Sequence, residues 1–181
     1  MRITVERSIE AATVDRFYAI YVAAFGPLGT RAAARHVLSA EEFAAEMADE
    51  RIDKYVAWSP DGEPVALTTL TGDLAAVPWV SPDFYATRYP EHAARGALLY
   101  LGYTLVHPDH ENEGLFARMA ARVVRRCTEE RAVCAFDVCG YNDDVHGLGK
   151  SIAALSRSLD MRVETADVQT YYAAVFNGRK S

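Results

Sequence analysis

The chain has 181 residues, half of them hydrophobic, with a formal net charge of −6 and a pI near 5.4. That length and apolar share suffice for one sizeable core and predict a single domain over residues 1–181. The acidic balance argues against a nucleic-acid partner, because a phosphate backbone wants a basic surface, and favours a small or cationic one.

Arg2 to Ile9 alternates enough for a first strand, and Thr13 or Asp15 opens a helix with Phe17, Ile20, Tyr21 and Phe25 on its apolar side. Gly26-Pro27 ends it. Ser39 followed three residues later by Glu42 is the capping-box pattern and starts a second helix through Phe43 and Met47. Lys54–Trp58 and Pro64–Leu70, joined by Ser59-Pro60-Asp61-Gly62, read as a hairpin. Between Thr71 and Gly96 the periodicity breaks. Pro78, Pro82 and Pro90 alternate there with Trp79, Phe84, Tyr85 and Tyr89, an insertion suited to a lid or binding loop, with edge packing of aromatics as the plainer reading.

Ala97–Val106 (ALLYLGYTLV) reads as a buried strand, and Leu115, Met119, Val123, Val124 and Cys127 recur at helical spacing after it. Ala132–Val138 suits a central strand, Gly140–Asp144 a polar turn and Ser151–Leu159 a helix. Arg162–Glu164 and Gln169–Phe176 read as closing strands. Cys127, Cys134 and Cys139 lack zinc-ligand or Cys-x-x-Cys spacing and read as reduced structural thiols of a cytoplasmic protein. The first residues lack a basic region ahead of an apolar run, and no long uncharged apolar segment follows. A soluble, unexported protein with no membrane partner is expected.

The strand ending Val106-His107-Pro108, the loop Glu111-Asn112-Glu113-Gly114-Leu115-Phe116 and the helix after it present unpaired N–H groups and a positive dipole end at one point, where an anion can sit. This arrangement resembles the cofactor segment of the GNAT superfamily of N-acetyltransferases, in which an (Arg/Gln)-x-x-Gly-x-(Gly/Ala) loop holds the pyrophosphate of acetyl-coenzyme A. Only the middle glycine, Gly114, is retained, with Glu111 and Phe116 at the flanking positions. The element order β, α, α, β, β, insertion, β, α, β, α, β, β also resembles that family over essentially the whole chain.

The resemblance implies an α/β fold: a mixed, twisted sheet of about six or seven strands flanked by helices, splayed between the fourth and fifth strands near Val106 and Val138. It implies transfer of an acetyl or other short acyl group from coenzyme A to an amine of a small molecule or peptide, by direct attack in a ternary complex. A GNAT-fold module without catalysis, binding a ligand or protein, is the second reading. Homodimers are common in the family, and oligomeric state stays open. The implied cofactor contacts are the backbones of Leu105 and Val106, the N–H groups of Asn112, Glu113, Gly114, Leu115, Phe116 and Ala117, and the charge of Arg118 or Arg122. Glu111 and Glu113 would compete with phosphate for the same dipole. Ser156 stands where many relatives place a tyrosine acid, and a serine relays a proton through water or lies on the helix surface.

Polar residues inside apolar strands add Tyr103 and Asp137 as candidates for orienting the amine, against satisfied structural roles. Trp79, Phe84, Tyr85 and Tyr89 are the substrate-side candidates, with Asp83 as a charge partner. Gly147-Leu148-Gly149-Lys150-Ser151 ends like a P-loop, but Asp144 occupies the required first glycine position. His107, Asp109, His110, Glu111 and Glu113 are spaced too closely to converge on a metal, so no metal is expected. Cys139 with His146 and Asp143 or Asp144 is read as structural rather than as a thiol nucleophile.

Overall fold

The computed structural model describes residues 1–33, 37–155 and 160–176, with the side chains at 111–113, 146, 148, 151, 153 and 155 also outside the description. The chain divides into two compact units, Met1–Gly29 with His36–Asp137, and Thr30–Arg35 with Val138–Ser181.

The first unit is built on a mixed sheet in the order β1-β2-β3-β4-β5: β1 Arg2–Glu6, β2 Ile52–Trp58, β3 Pro64–Thr71, β4 Leu98–Val106 and β5 Val133–Ala135. Neighbours are antiparallel except β4 and β5, which run parallel. Every residue of β3 is buried, as a central strand covered on both faces requires. Helices α1 (Ala11–Phe25) and α2 (Ala40–Ala48) cover one face, where Phe17, Tyr21, Phe43 and Met47 pack on Val56, Leu67 and Leu105. Helix α5 (Leu115–Glu129) covers the other, setting Leu115, Met119 and Val123 on Tyr55, Ala66 and Leu99. The four-residue spacing of those three side chains makes the single apolar stripe that a sheet-facing helix needs.

The insertion is helical where an irregular loop was expected. Leu74–Ala76 is a 3₁₀ turn capped by Asp73, and two short helices follow, α3 Pro82–Arg88 and α4 Pro90–Ala94. Pro82 and Pro90 each stand at the first position of a helix, where no N–H is needed and the fixed φ is already helical.

The second unit contains α6 (Gly140–His146) and α7 (Leu148–Leu155). The expected turn at Gly140–Asp144 is the first part of α6, which closes at Gly147 with φ +60°. The expected closing strands are not formed. Arg162–Glu164 and Gln169–Phe176 carry no regular structure, and Tyr172 and Phe176 are about nine-tenths exposed. The sheet therefore has five strands among the described residues rather than six or seven. β-Branched and aromatic residues favour a strand only against a partner strand and a packed face, and this segment has neither. No helix among the described residues is long and apolar enough to cross a membrane.

Candidate active site

Strand β4 joins two features, a free helix start at its C-terminal end and a cavity at its middle. Pairing with β5 covers only Leu98–Tyr100 against Val133–Ala135, so β4 runs on from Leu101 to Val106 with no ladder partner on that side among the described residues. A 3₁₀ turn, Pro108–Glu113, then leads to Gly114, whose φ of +65° is the left-handed conformation that glycine adopts without strain. The first bond inside α5 is Arg118 N–H to the Gly114 carbonyl, 3.2 Å. The N–H groups of Leu115, Phe116 and Ala117 therefore lie ahead of the helical ladder, and Gly114 has no side chain with which to cap them. These donors and the helix dipole favour a phosphate. Arg118 donates to the Met1 carbonyl at 2.9 Å, Phe116 is half exposed and Leu115 is buried. The side chains of Glu111, Asn112 and Glu113 lie outside the described ones.

Towards the start of β4 the antiparallel register with β3 slips. Thr68 faces Thr104 and Leu70 faces Leu101, so Thr69 opposes both Gly102 and Tyr103. Such a bulge leaves one residue out of the ladder and re-aims its neighbours. Gly102 is required there, because a Cβ would stand 2.4 Å from the Thr69 hydroxyl oxygen. An open cavity of about 270 Å³ lies over this bulge, walled by α2, by β3 and β4, and by Ala76–Trp79.

Glu46, on α2, lines the cavity and was not among the residues singled out from sequence. Burial pushes its carboxyl up to about 7, against the opposing pull of the Tyr103 hydroxyl, the Lys54 ammonium and Thr69. Asp49, one turn further on, behaves oppositely. Hydrogen bonds from Arg51 hold it down at about 2. Two carboxyls so close with ionisations driven so far apart are a common mark of a working site. A signal was present in the sequence: Glu46 follows Phe43 by three and precedes Met47, so a charge sits on the apolar stripe of a helix whose start was recognised.

Tyr103 packs among Tyr21, Phe25 and Phe43 with ring centroids 5.2 to 6.3 Å away. Its hydroxyl is buried without a well-aligned hydrogen-bond partner among the described residues, and burial together with the Glu46 charge pushes its pKa well up, so the phenol stays neutral. Lys54 is buried beneath, donating to the carbonyls of Arg7 at 2.8 Å and Asp49 at 2.6 Å. Burial pulls the Lys54 ammonium down, the neighbouring carboxylates Asp49 and Glu46 oppose that, and its charge in turn draws Glu46 downward.

Asp137 accepts a hydrogen bond from the Tyr100 hydroxyl, which in turn accepts from the Trp79 indole at 2.9 Å. Burial and the adjacent carboxylate push the Tyr100 phenol well up, leaving it neutral. Trp79 and Tyr100 line the cavity, and Asp137 reaches it only through Tyr100. Phe84, Tyr85 and Tyr89 do not line it. Phe84 meets Tyr85 edge to face, Tyr85 packs against Leu74, Val77 and Tyr100, and Tyr89 contacts Arg88 and His92. Leu105 points into the core under α1 and α2, Val106 packs on the α5 side, and Ser156 lies outside the described residues.

In the second unit the P-loop-like run is the joint between α6 and α7, with Gly149 N–H bonded to the Asp143 carboxylate at 2.9 Å. No group of three metal-ligating side chains occurs among the described residues.

No family model matches the chain, and no curated protein matches it by sequence. Solved structures do match. A Trypanosoma brucei acetyltransferase superimposes with a TM-score of 0.52 at 14% identity, over 94% of this chain and 100% of its own. A ribosomal-protein-alanine N-acetyltransferase from Brucella melitensis gives 0.52 at 14%, over 97% and 100%. The chain has the GNAT fold. An aminoglycoside antibiotic 6′-N-acetyltransferase from Acinetobacter haemolyticus agrees, at 0.53 and 13% identity over 98% and 100%. Resemblance at this level extends to the architecture, a mixed sheet flanked by helices.

Proposed function

We propose that the protein transfers an acetyl or other short acyl group from coenzyme A to an amine. The observation that carries this reading is the start of α5: three successive N–H groups after a left-handed Gly114, with no capping side chain among the described ones, reached by a strand that from Leu101 to Val106 has no ladder partner on its β5 side among the described residues. That is the donor array a pyrophosphate needs, followed by a row of backbone groups suited to an extended amide-bearing arm. The residues present fit an acyl-coenzyme A, which when bound supplies the thioester carbon to be attacked.

In this reading the N–H groups of Leu115, Phe116 and Ala117 hold the pyrophosphate, those of Asn112 and Glu113 lying inside the 3₁₀ turn, and the backbones of Leu105 and Val106 hold the arm. The bulge at Gly102 and Tyr103 lies about 10 Å further along β4, at roughly 3.3 Å per residue, so the acyl end reaches the cavity wall. Tyr100 and Asp137 fix Trp79 on that wall. The acceptor amine enters from the cavity side, and the sheet keeps the two reactants in line.

Calorimetric titration with acetyl-coenzyme A tests the reading. The wild-type protein should bind it, and Gly114→Pro, which locks φ near −65° in place of +65°, should lose binding by at least a factor of about one hundred while circular dichroism stays folded. Gly114→Ala, a milder strain, should weaken binding less. Undiminished affinity in a folded Gly114→Pro protein would refute the assignment.

A further inference from the structure

The cavity over the β4 bulge carries more than a general place for an acceptor. Its floor and one wall are apolar or aromatic, from Leu70, Val77, Trp79 and Tyr100. Its other wall is the acidic side of α2, with Glu42, Glu46 and Asp49. Acidic residues alone do not make a site. The second observation is the Tyr103 hydroxyl, buried on the cavity wall with no well-aligned partner among the described residues, a polar group that a bound molecule would satisfy. Size limits the occupant. A 150 Å³ apolar cavity holds a benzene, so about 270 Å³ holds roughly ten to fifteen non-hydrogen atoms.

Resting on the acyl-transfer reading above, we infer that this cavity takes a compact primary amine with an apolar body, its ammonium held at Glu46 and the Tyr103 hydroxyl, and that Glu46 is the base that frees the nitrogen for attack. The apolar body lies against Trp79 and Tyr100, where a ring gains both burial and stacking. The volume limits the part of the acceptor that sits inside the cavity, and the first residue of a peptide carries the same ammonium.

The proton and electron balance is as follows. The Glu46 carboxylate takes one proton from the ammonium and exposes the nitrogen lone pair. That pair forms the C–N bond to the thioester carbon while the C–S bond breaks and its electrons leave on sulfur. The nitrogen's second proton neutralises the thiolate, and Glu46 returns its proton to water through the open mouth of the cavity. One proton is released per turnover.

The groups facing Glu46 set its working range. They are Glu42 and Asp49 from the α2 side, Lys54 from β2, Tyr103 and Tyr100 from β4, and Tyr21 of α1 behind Tyr103. Asp49 is held anionic by Arg51, while burial pulls the Lys54 ammonium down against the carboxylates around it. Ionisation of Glu46 near pH 7 is therefore the step that turns on both cation binding and proton removal.

The test separates this inference from the acyl-transfer reading by measuring amine binding without any acyl donor. Phenethylamine, followed by ligand-detected NMR, should bind the wild-type protein and bind at least tenfold tighter at pH 8 than at pH 5.5. Glu46→Gln should abolish that pH dependence and weaken binding at pH 8 to its pH 5.5 value. Tyr103→Phe should weaken binding at both pH values. With acetyl-coenzyme A present, thiol release with phenethylamine should fall at least a hundredfold in Glu46→Gln while acetyl-coenzyme A affinity stays within a factor of two. No phenethylamine binding, binding indifferent to pH, or full thiol release by Glu46→Gln would overturn the inference. Preference for a phenylalanyl dipeptide over phenethylamine by more than tenfold would overturn the free-amine assignment. Loss of acetyl-coenzyme A binding in the wild-type protein would instead overturn the acyl-transfer reading and leave the amine arm to stand or fall by its own result.

Discussion

Helices α2 and α5 cover opposite faces of one sheet, yet their N-termini are finished in opposite ways. The start of α2 is closed by its own sequence: the Ser39 hydroxyl accepts from Glu42 N–H at 3.2 Å, and the Glu42 carboxylate accepts from Ser39 N–H at 2.8 Å. The start of α5 is a glycine with nothing to offer the N–H groups after it. Closing a helix end stabilises the fold by about 1 kcal/mol, whereas leaving it open forgoes that and keeps the donors for a ligand. The two helices also differ in what they bury. The fully buried side chains of α5 are all apolar, with the half-buried Arg126 reaching Asp53 of β2 at its far end, whereas α2 lays a carboxyl into the cavity wall. One helix offers backbone at its end and the other a side chain from its flank.

The largest expected effects are those that remove either helix's anchor. Phe43→Ala in α2 should cost about 3–5 kcal/mol and Leu115→Ala in α5 about 2–5 kcal/mol in urea denaturation, since both side chains are fully buried. A much smaller loss for Leu115→Ala would mean that α5 is held by something other than its apolar stripe.

The next effect is a gain. The Glu46 carboxyl ionises near 7 in the folded chain and near 4.5 when unfolded, so the native state holds the proton more tightly. Its contribution is complete below about pH 4.5 and is lost as pH rises through 7. Glu46→Gln should leave the melting temperature little changed at pH 4.5 and raise stability at pH 8 by up to about 3 kcal/mol. A carboxyl retained at the expense of stability indicates use, and a destabilised Glu46→Gln protein at pH 8 would remove that argument.

The smallest effects compare the two helix starts directly. Ser39→Ala should cost about 1 kcal/mol through loss of the cap. Gly114→Ala should cost about 1–2 kcal/mol through left-handed strain alone, as no atom stands within 4 Å of the added methyl. Acetyl-coenzyme A should stabilise Ser39→Ala, whose α5 start is intact, more than Gly114→Ala; equal stabilisation of the two would mean that the assignment of the open end to α5 is wrong.

Much of this architecture was legible in the residues themselves. The capping box at Ser39, the hairpin turn at Ser59–Gly62 and the four-residue stripe from Leu115 are local patterns, and local hydrogen bonding and periodicity decide them. Gly114 was picked out by the motif resemblance, and its left-handed φ of +65° is the physical reason a glycine stands there. The closing strands were misread, because QTYYAAVF has strand-forming side chains but a strand exists only with a neighbour to pair with. The prolines of the insertion were read as breakers when Pro82 and Pro90 instead open helices, since the same ring that interrupts a helix is preorganised for its first turn.

What only the tertiary structure decided was the meeting of Glu46 with Tyr103. They belong to different elements, 57 positions apart in the chain, and come together because α2 lies over the β4 bulge. A carboxyl's ionisation depends on how much water surrounds it and on which charges face it, and neither quantity is written in the residues next to it. The sequence by itself determined α1, α2 and α5 and the faces they bury, because their periodicity and caps are local, but not the short helices α3, α4 and α6. The packing of α2 on the sheet determined that one glutamate among many would titrate near neutrality beside the buried Tyr103 hydroxyl.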